Sequence, residues 1–266
     1  MALHQQFHTK IALAIELIDA AIRHRVPFGV ILFDGWYLAE ELVAVATRRK
    51  KDWVSLLKKN RNLEASSFVL KDATGQPIGM AGPHIKVEEL VPHIPASAYR
   101  VVTIDATTYW CFTLAVRLPG LGKVRLVISY DTAALTGRYA VLVTNRVDWT
   151  AQRVIATYLH RWPIETFYQD GKGHLGLDEY RMRSAEAIGK HWCLVFVAYS
   201  LLHLACLGLS LEPGRLPVTT IGEACRQQAE ALIQQLLLYT HDHLLRGVAV
   251  DDLFAHLFAK HRLLPT

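Results

Sequence analysis

Cysteine is scarce in these 266 residues, with four at Cys111, Cys193, Cys206 and Cys225. None forms a C-x-x-C pair, and the spacing suits neither a zinc cluster nor a secreted disulfide framework, so a reducing cytosol is the simplest setting. There is no basic n-region or continuous apolar run at the start, where His4, Gln5, Gln6 and His8 lead into an amphipathic pattern; no secretion signal is expected. The chain has no G-x-x-x-x-G-K-[ST] loop and no G-x-S-x-G elbow, which argues against a P-loop ATPase or an α/β-hydrolase. Internal repeats and low-complexity tracts are missing, and residues 212–217 form the one Pro/Gly-rich break. Neither sign of charge dominates: 29 Lys+Arg against 24 Asp+Glu give +5 and a pI near 9.0, which permits a polyanionic partner without demanding one. With 52% hydrophobic residues the chain can bury a real core, which excludes disorder as the main state.

Thr9 is placed to cap a helix whose apolar positions Ile11, Ala14, Ile15, Ile18 and Ile22 recur at three- and four-residue steps. That helix ends near the basic turn 23–25, before Pro27. Residues 29–33 form a short, wholly apolar run of the kind found in a strand covered on both faces, stopping at Asp34-Gly35. A second helix is predicted over 38–50 and a second strand over 53–57, which together make a βαβ unit. From about residue 66 to 144 the character changes to strands, at 66–70, 100–104, 109–117, 124–130 and 138–144, punctuated by Gly/Pro turns. Helices follow at about 150–171, 184–209, 221–239 and 250–260. Residues 192–211 are apolar except for Ser200, His203 and Ser210 and are about long enough to cross a bilayer; the sequence reads better as a buried core helix, with no membrane partner.

The sharpest chemical signal is Tyr158-x2-Arg161-x3-Glu165-x6-Lys172. On a continuous helix, at about 100° per residue, the four side chains fall within about 60° of one another. One carboxylate then sits among two cations and a phenol, a stripe suited to a phosphodiester backbone, with Glu165 left to hold a metal ion. The same pattern also fits a solvated face with salt bridges, and Pro163 and Gly171 interrupt ideal helix geometry.

These residues resemble the Y-R-E-K signature of bacterial DDE insertion-sequence transposases of the insertion-sequence-four-like group. Leu142-Val143-Thr144-Asn145 and Arg161-Trp162-Pro163-Ile164-Glu165 flank and carry it in the usual order. The segment Leu32-Phe33-Asp34-Gly35-Trp36-Tyr37 resembles the strand end that bears the family's second catalytic aspartate, and the likeness spans roughly residues 10–208. It implies an α/β fold: a partial RNase H-like core (1–63), a β-rich antiparallel insertion (64–144), the remainder of the core with the Glu165 helix (145–211), and a helical C-terminal region (212–266). The implied chemistry is cleavage and strand transfer at insertion-sequence ends by two Mg²⁺ or Mn²⁺ ions held by carboxylates, because hard divalent ions prefer anionic oxygen. Asp34 and Glu165 would be catalytic metal ligands. Tyr158, Arg161 and Lys172 would position double-stranded DNA at the terminal inverted repeats, in a homodimeric synaptic complex in the bacterial cytosol near the nucleoid.

The family's first aspartate lies on an early strand well before the second, and the 33 residues preceding Asp34 offer only Asp19, which falls mid-helix. The chain is therefore expected to be an N-terminally truncated member, catalytically incomplete alone. An alternative is a non-catalytic DNA-binding or dimerising inhibitor of a full-length transposase. A different assignment makes Asp34 the first aspartate and Asp105 the second.

Seven cations against Asp52 lie within residues 48–61, among them Lys58, Lys59 and Arg61, which form either a phosphate-contacting edge or a solvated helix end and loop. Trp36 and Trp162 adjoin proposed site residues, where packing is the commoner role of a Trp. His241-Asp242-His243 and His256-x4-His261 are assigned no metal.

Overall fold

A computed structural model of the chain describes residues 8–79, 82–209 and 217–258. The opening residues 1–7, most of the break at 212–217, the boundary at 211/212, the end of the last expected helix and His261 lie outside them. The chain divides into two compact units, residues 1–162 and 163–266.

In the first unit, α1 (Lys10–Arg23) begins where the sequence places its cap, the Thr9 hydroxyl accepting from the Ala12 N–H at 3.1 Å. It is followed by β1 (Val30–Phe33), α2 (Glu40–Arg48) and β2 (Asp52–Leu56), and β1 and β2 pair in parallel. This is the predicted βαβ unit. Two short strands that the sequence does not reveal, β3 (Asn62–Glu64) and β4 (His84–Lys86), pair with each other, followed by the single-turn helix α3 (Val87–Leu90). Then come β5 (Arg100–Ile104), β6 (Thr107–Leu118), β7 (Gly122–Tyr130) and β8 (Tyr139–Thr144), and α4 (Ala151–Leu159).

Six strands form one sheet in the order β1-β2-β8-β7-β6-β5, antiparallel at every pairing except β1 with β2. The strands drawn from residues 64–144 thus extend the same sheet as the βαβ unit. Side chains alternate between its two faces. Phe33, Trp53, Leu126, Ile128, Val141 and Val143 point into a core covered by α1, α2 and the β3–α3 segment. Val54, Val127, Leu142 and Cys111 point the other way, against Val154, Ile155 and Trp149 at α4. Both faces are covered, which is why β1 and β2 read as continuous apolar runs. The mixed α/β architecture is compatible with an RNase H-like core.

The predicted strand at 66–70 does not form. Residues Ala65–Ser67 make a 3-10 turn instead, because the Ser67 hydroxyl donates to the Glu64 carbonyl at 2.6 Å and accepts from the Arg117 N–H at 2.9 Å.

The second unit contains α5 (Pro163–His174), α6 (Ala185–Cys206), α7 (Ile221–Leu245) and α8 (Val250–Phe258). Phe167 of α5 stacks on Phe196 of α6 and meets Tyr199 edge-on, with centroids 5.1 and 4.8 Å apart. The helix expected to be buried in an α/β core is instead largely solvent-facing: Val195 is its one buried residue among those described. α6 uses one face against α5 and α7 and leaves the stripe Leu194, Val197, Leu201 and Leu204 exposed. By length and composition it is the one described helix able to cross a membrane.

Candidate active site

Asp34 follows the last residue of β1, at the C-terminal edge of the parallel pair. Its Oδ1 accepts from the Trp36 N–H at 2.8 Å, an Asx-type turn that fixes the carboxylate, and its carbonyl accepts from the buried Ser55 hydroxyl at 3.3 Å. Gly35 is needed for close approach: a Cβ there would sit 3.2 Å from the Leu56 carbonyl oxygen and 3.6 Å from Cγ of Lys58. The turn is thereby pressed against the end of β2. Lys58 leans over it, with Nζ 3.9 Å from the centre of the exposed Trp36 ring.

Asn145, which the sequence marks only as the end of Leu142-Val143-Thr144-Asn145, holds this corner together. Its side-chain oxygen accepts from the backbone N–H of the fully buried Trp53 at 2.9 Å, and its amide reaches the Lys51 carbonyl at 3.5 Å. It continues the β2–β8 ladder with a side chain after β8 ends. Beside it, Arg146 bridges Asp52 (3.0 Å) and Asp148 (2.8 Å). The Arg146 hydrogen bond holds the Asp148 carboxyl down at about 2, and the two carboxylates push the guanidinium up.

The continuous helix expected over 150–171 is two helices. His160, Arg161 and Trp162 donate to carbonyls three residues back, tightening the turn after α4, and Pro163 opens α5 at the position where a missing N–H is harmless. The four-residue stripe therefore does not lie on one helix face. Tyr158 and Arg161 belong to the first unit; Tyr158 packs on the core under α4, and the Arg161 guanidinium lies 5.7 Å from its ring centre. Glu165 and Lys172 belong to the second unit and share a face of α5 that is turned about 140° to 160° from Phe167. Glu165 occupies the first turn, where the helix dipole favours an anion, and Lys172 the last. Gly171 lets the chain fold back onto α5: its carbonyl accepts from the N–H groups of Leu175 and Leu177, and Leu177 Cδ2 would lie 3.3 Å from a Cβ there. That return brings Asp178 to 3.5 Å from Lys172.

Asp34 and Lys58 thus sit together, whereas Lys59 turns away, its Nζ 3.6 Å from the Tyr139 ring, and Arg61 lies before β3, its carbonyl taken by the Val87 N–H. Arg49 is held by Asp19 at 2.6 Å and Lys51 by the Phe28 carbonyl, so part of the cation run is engaged within the fold. Asp19 is thereby confirmed as an ion-pair partner within a helix. Asp105 is a left-handed turn residue between β5 and β6, at the opposite edge of the sheet from Asp34. Five strand spacings of about 4.8 Å put the two roughly 24 Å apart, too far to share a metal ion, and the assignment pairing them fails.

Asp34 offers the anionic oxygen a hard divalent ion prefers. Among the described residues, however, no three His, Cys, Asp or Glu side chains come together to hold one. His243 is turned to the Tyr239 carbonyl and Asp242 to Arg246, which accounts for the His241-Asp242-His243 run.

The mixed α/β sheet, with Asp34 after its parallel strand and Glu165 on a helix of the second unit, is compatible with an RNase H-like core. The family model of the transposase DDE domain matches residues 8–201, and the chain belongs to that family. No curated protein matches it. DDE transposases as a class use divalent metal ions.

Proposed function

We propose that this chain carries the second aspartate and the glutamate of a DDE transposase of the insertion-sequence-four-like group, acting in metal-dependent cleavage and strand transfer at insertion-sequence ends. Asp34 and Glu165 are the metal ligands. Tyr158, Arg161, Lys172 and Lys58 hold the terminal inverted repeats, with Lys59 and Arg61 at the margin. Residues 64–144 are an insertion within the core, and the protein works as a homodimer in the cytosol, at the nucleoid. The exposed Leu194, Val197, Leu201 and Leu204 stripe on α6 supports self-association.

The observation that carries the reading is Asp34 at the C-terminal end of β1, within the span matched by the transposase family. On this reading the 266 residues are catalytically incomplete by themselves, because they supply two of the three carboxylates. The second reading, a DNA-binding or dimerising inhibitor of a full-length transposase, draws on the same facts, since the positioning residues are present.

The test is incubation of the purified protein with Mg²⁺ and inverted-repeat duplex. No cleavage is expected under either reading, and strong end-specific binding without cleavage favours the inhibitor. Robust cleavage abolished by Asp34→Ala would refute incompleteness.

A further inference from the structure

The register of the sheet gathers two arginines that are 25 positions apart on the face covered by α4. Arg100 of β5 pairs with Cys111 of β6, and Arg125 of β7 pairs with Ala115 of β6, so both side chains share the face of Cys111 and Thr113. Together with the first turn of α4 they line a cavity of about 540 Å³. Arg125 is held by an Nε donation to the Val147 carbonyl at 2.6 Å, and Arg100 by Nη1 donations to the carbonyls of Ser97 (2.7 Å) and Tyr99 (3.3 Å). Each fork keeps further N–H groups for a ligand. Neither makes a carboxylate ion pair among the described residues, and Asp52 and Asp148 are both engaged by Arg146.

No acidic residue lines the cavity, and its one thiol, Cys111, is kept protonated by burial, which pushes it up to about 11. Thr113, Thr150 and Gln152 add neutral hydrogen-bonding groups to the wall. Two guanidiniums, each tied to backbone carbonyls in the wall of one cavity that no acidic side chain lines, offer N–H donors to phosphate oxygens.

We propose that this cavity binds a phosphate group, supplied by the backbone of a nucleic-acid strand. The nucleic-acid source rests on the function proposed above; the phosphate chemistry does not. Within the same unit α4 runs about 13 Å from the cavity to Tyr158 and Arg161, roughly four strand phosphates at 3.4 Å of rise each. Arg100 and Arg125 thereby anchor a strand at the end of α4 opposite the signature pair.

The test compares the full chain with Arg100→Gln and Thr113→Glu, which leave the Arg125–Val147 bond intact, by fluorescence anisotropy on labelled duplex across a salt series. A parallel arm reads the melting temperature with inorganic phosphate, and far-UV circular dichroism monitors folding. Both variants should bind duplex several-fold more weakly, and Arg100→Gln should lower the slope of log Kobs against log salt by about 1. Duplex affinity unchanged in both folded variants overturns the proposal. If the unaltered chain ignores duplex but is stabilised by phosphate in an Arg100-dependent way, the cavity stands as a free-phosphate site and the nucleic-acid reading falls. Stabilisation by neither probe overturns it. Should Thr113→Glu misfold, Arg100→Gln decides alone, since Arg100 is exposed and bonds only to its own loop.

Discussion

The ammonium of Lys58 lies 3.9 Å over the indole of Trp36, the residue whose backbone N–H is held by the Asp34 carboxylate. A cation is thus stationed beside the one acidic group of the β1 corner without pairing with it. Lys58→Ala should weaken DNA binding about equally for all sequences and reduce the salt slope by about 1, as expected of an ammonium that contacts phosphate rather than a base edge. Lys59→Ala, whose ammonium rests on the Tyr139 ring at the margin of that surface, should change both less. Anisotropy titrations at several salt concentrations check both.

Asp34→Asn and Asp34→Ala separate structural from ligand roles. Asparagine retains the oxygen that accepts from Trp36, so its melting temperature should match the unaltered chain, whereas alanine loses the turn and about 1 kcal/mol. Both should remove any Mn²⁺ binding that depends on this corner, read by calorimetry. Retention of such binding in Asp34→Asn would show that the carboxylate is not a ligand.

Asn145→Ala leaves the Trp53 N–H buried without an acceptor and should cost about 1–3 kcal/mol in urea unfolding. Asn145→Asp keeps an oxygen there and should cost less. Equal loss in both would locate the effect in the Nδ2 contact to Lys51.

Acid should expose the Arg146 bridge. The Asp148 carboxyl is depressed to about 2 in the fold, below its unfolded value near 3.9, so its contribution is fully present above about pH 4 and is lost as pH falls towards 2. Arg146→Gln should flatten the melting temperature over that window, since the cause of the depression is gone.

Periodicity and turn chemistry made most of the first unit legible. Thr9 announced α1, Asp34-Gly35 closed β1, and β5 to β8 each stand within about two residues of their predicted runs. What stayed hidden depends on groups distant in the chain. Ser67 bonds to Arg117, 50 residues on, and so replaces a strand with a turn. Asn145 substitutes for backbone 92 residues away, and Arg100 and Arg125 come to line one cavity only through strand register. Of the candidate site, the Asp34 corner could be read locally. The Tyr158 to Lys172 stripe could not, because projecting it assumed a helix that Pro163 restarts. The exposure of α6 was equally unreadable, since hydrophobicity reports what a helix would cover but not whether a partner does.

Among the described residues, the tetrad Val30, Ile31, Leu32 and Phe33 ends one side of the sheet, and it carries no charge or proline to blunt that edge. Produced in isolation, the polypeptide should therefore precipitate with an order in concentration above one, seeded by intermolecular strand zippering at this rim. A lysine in place of Ile31 would act as a gatekeeper against such growth only at the expense of the packing beneath α1. Solubility and core integrity are set against each other in the same four residues, and a complementary peptide that caps the rim would relieve both at once.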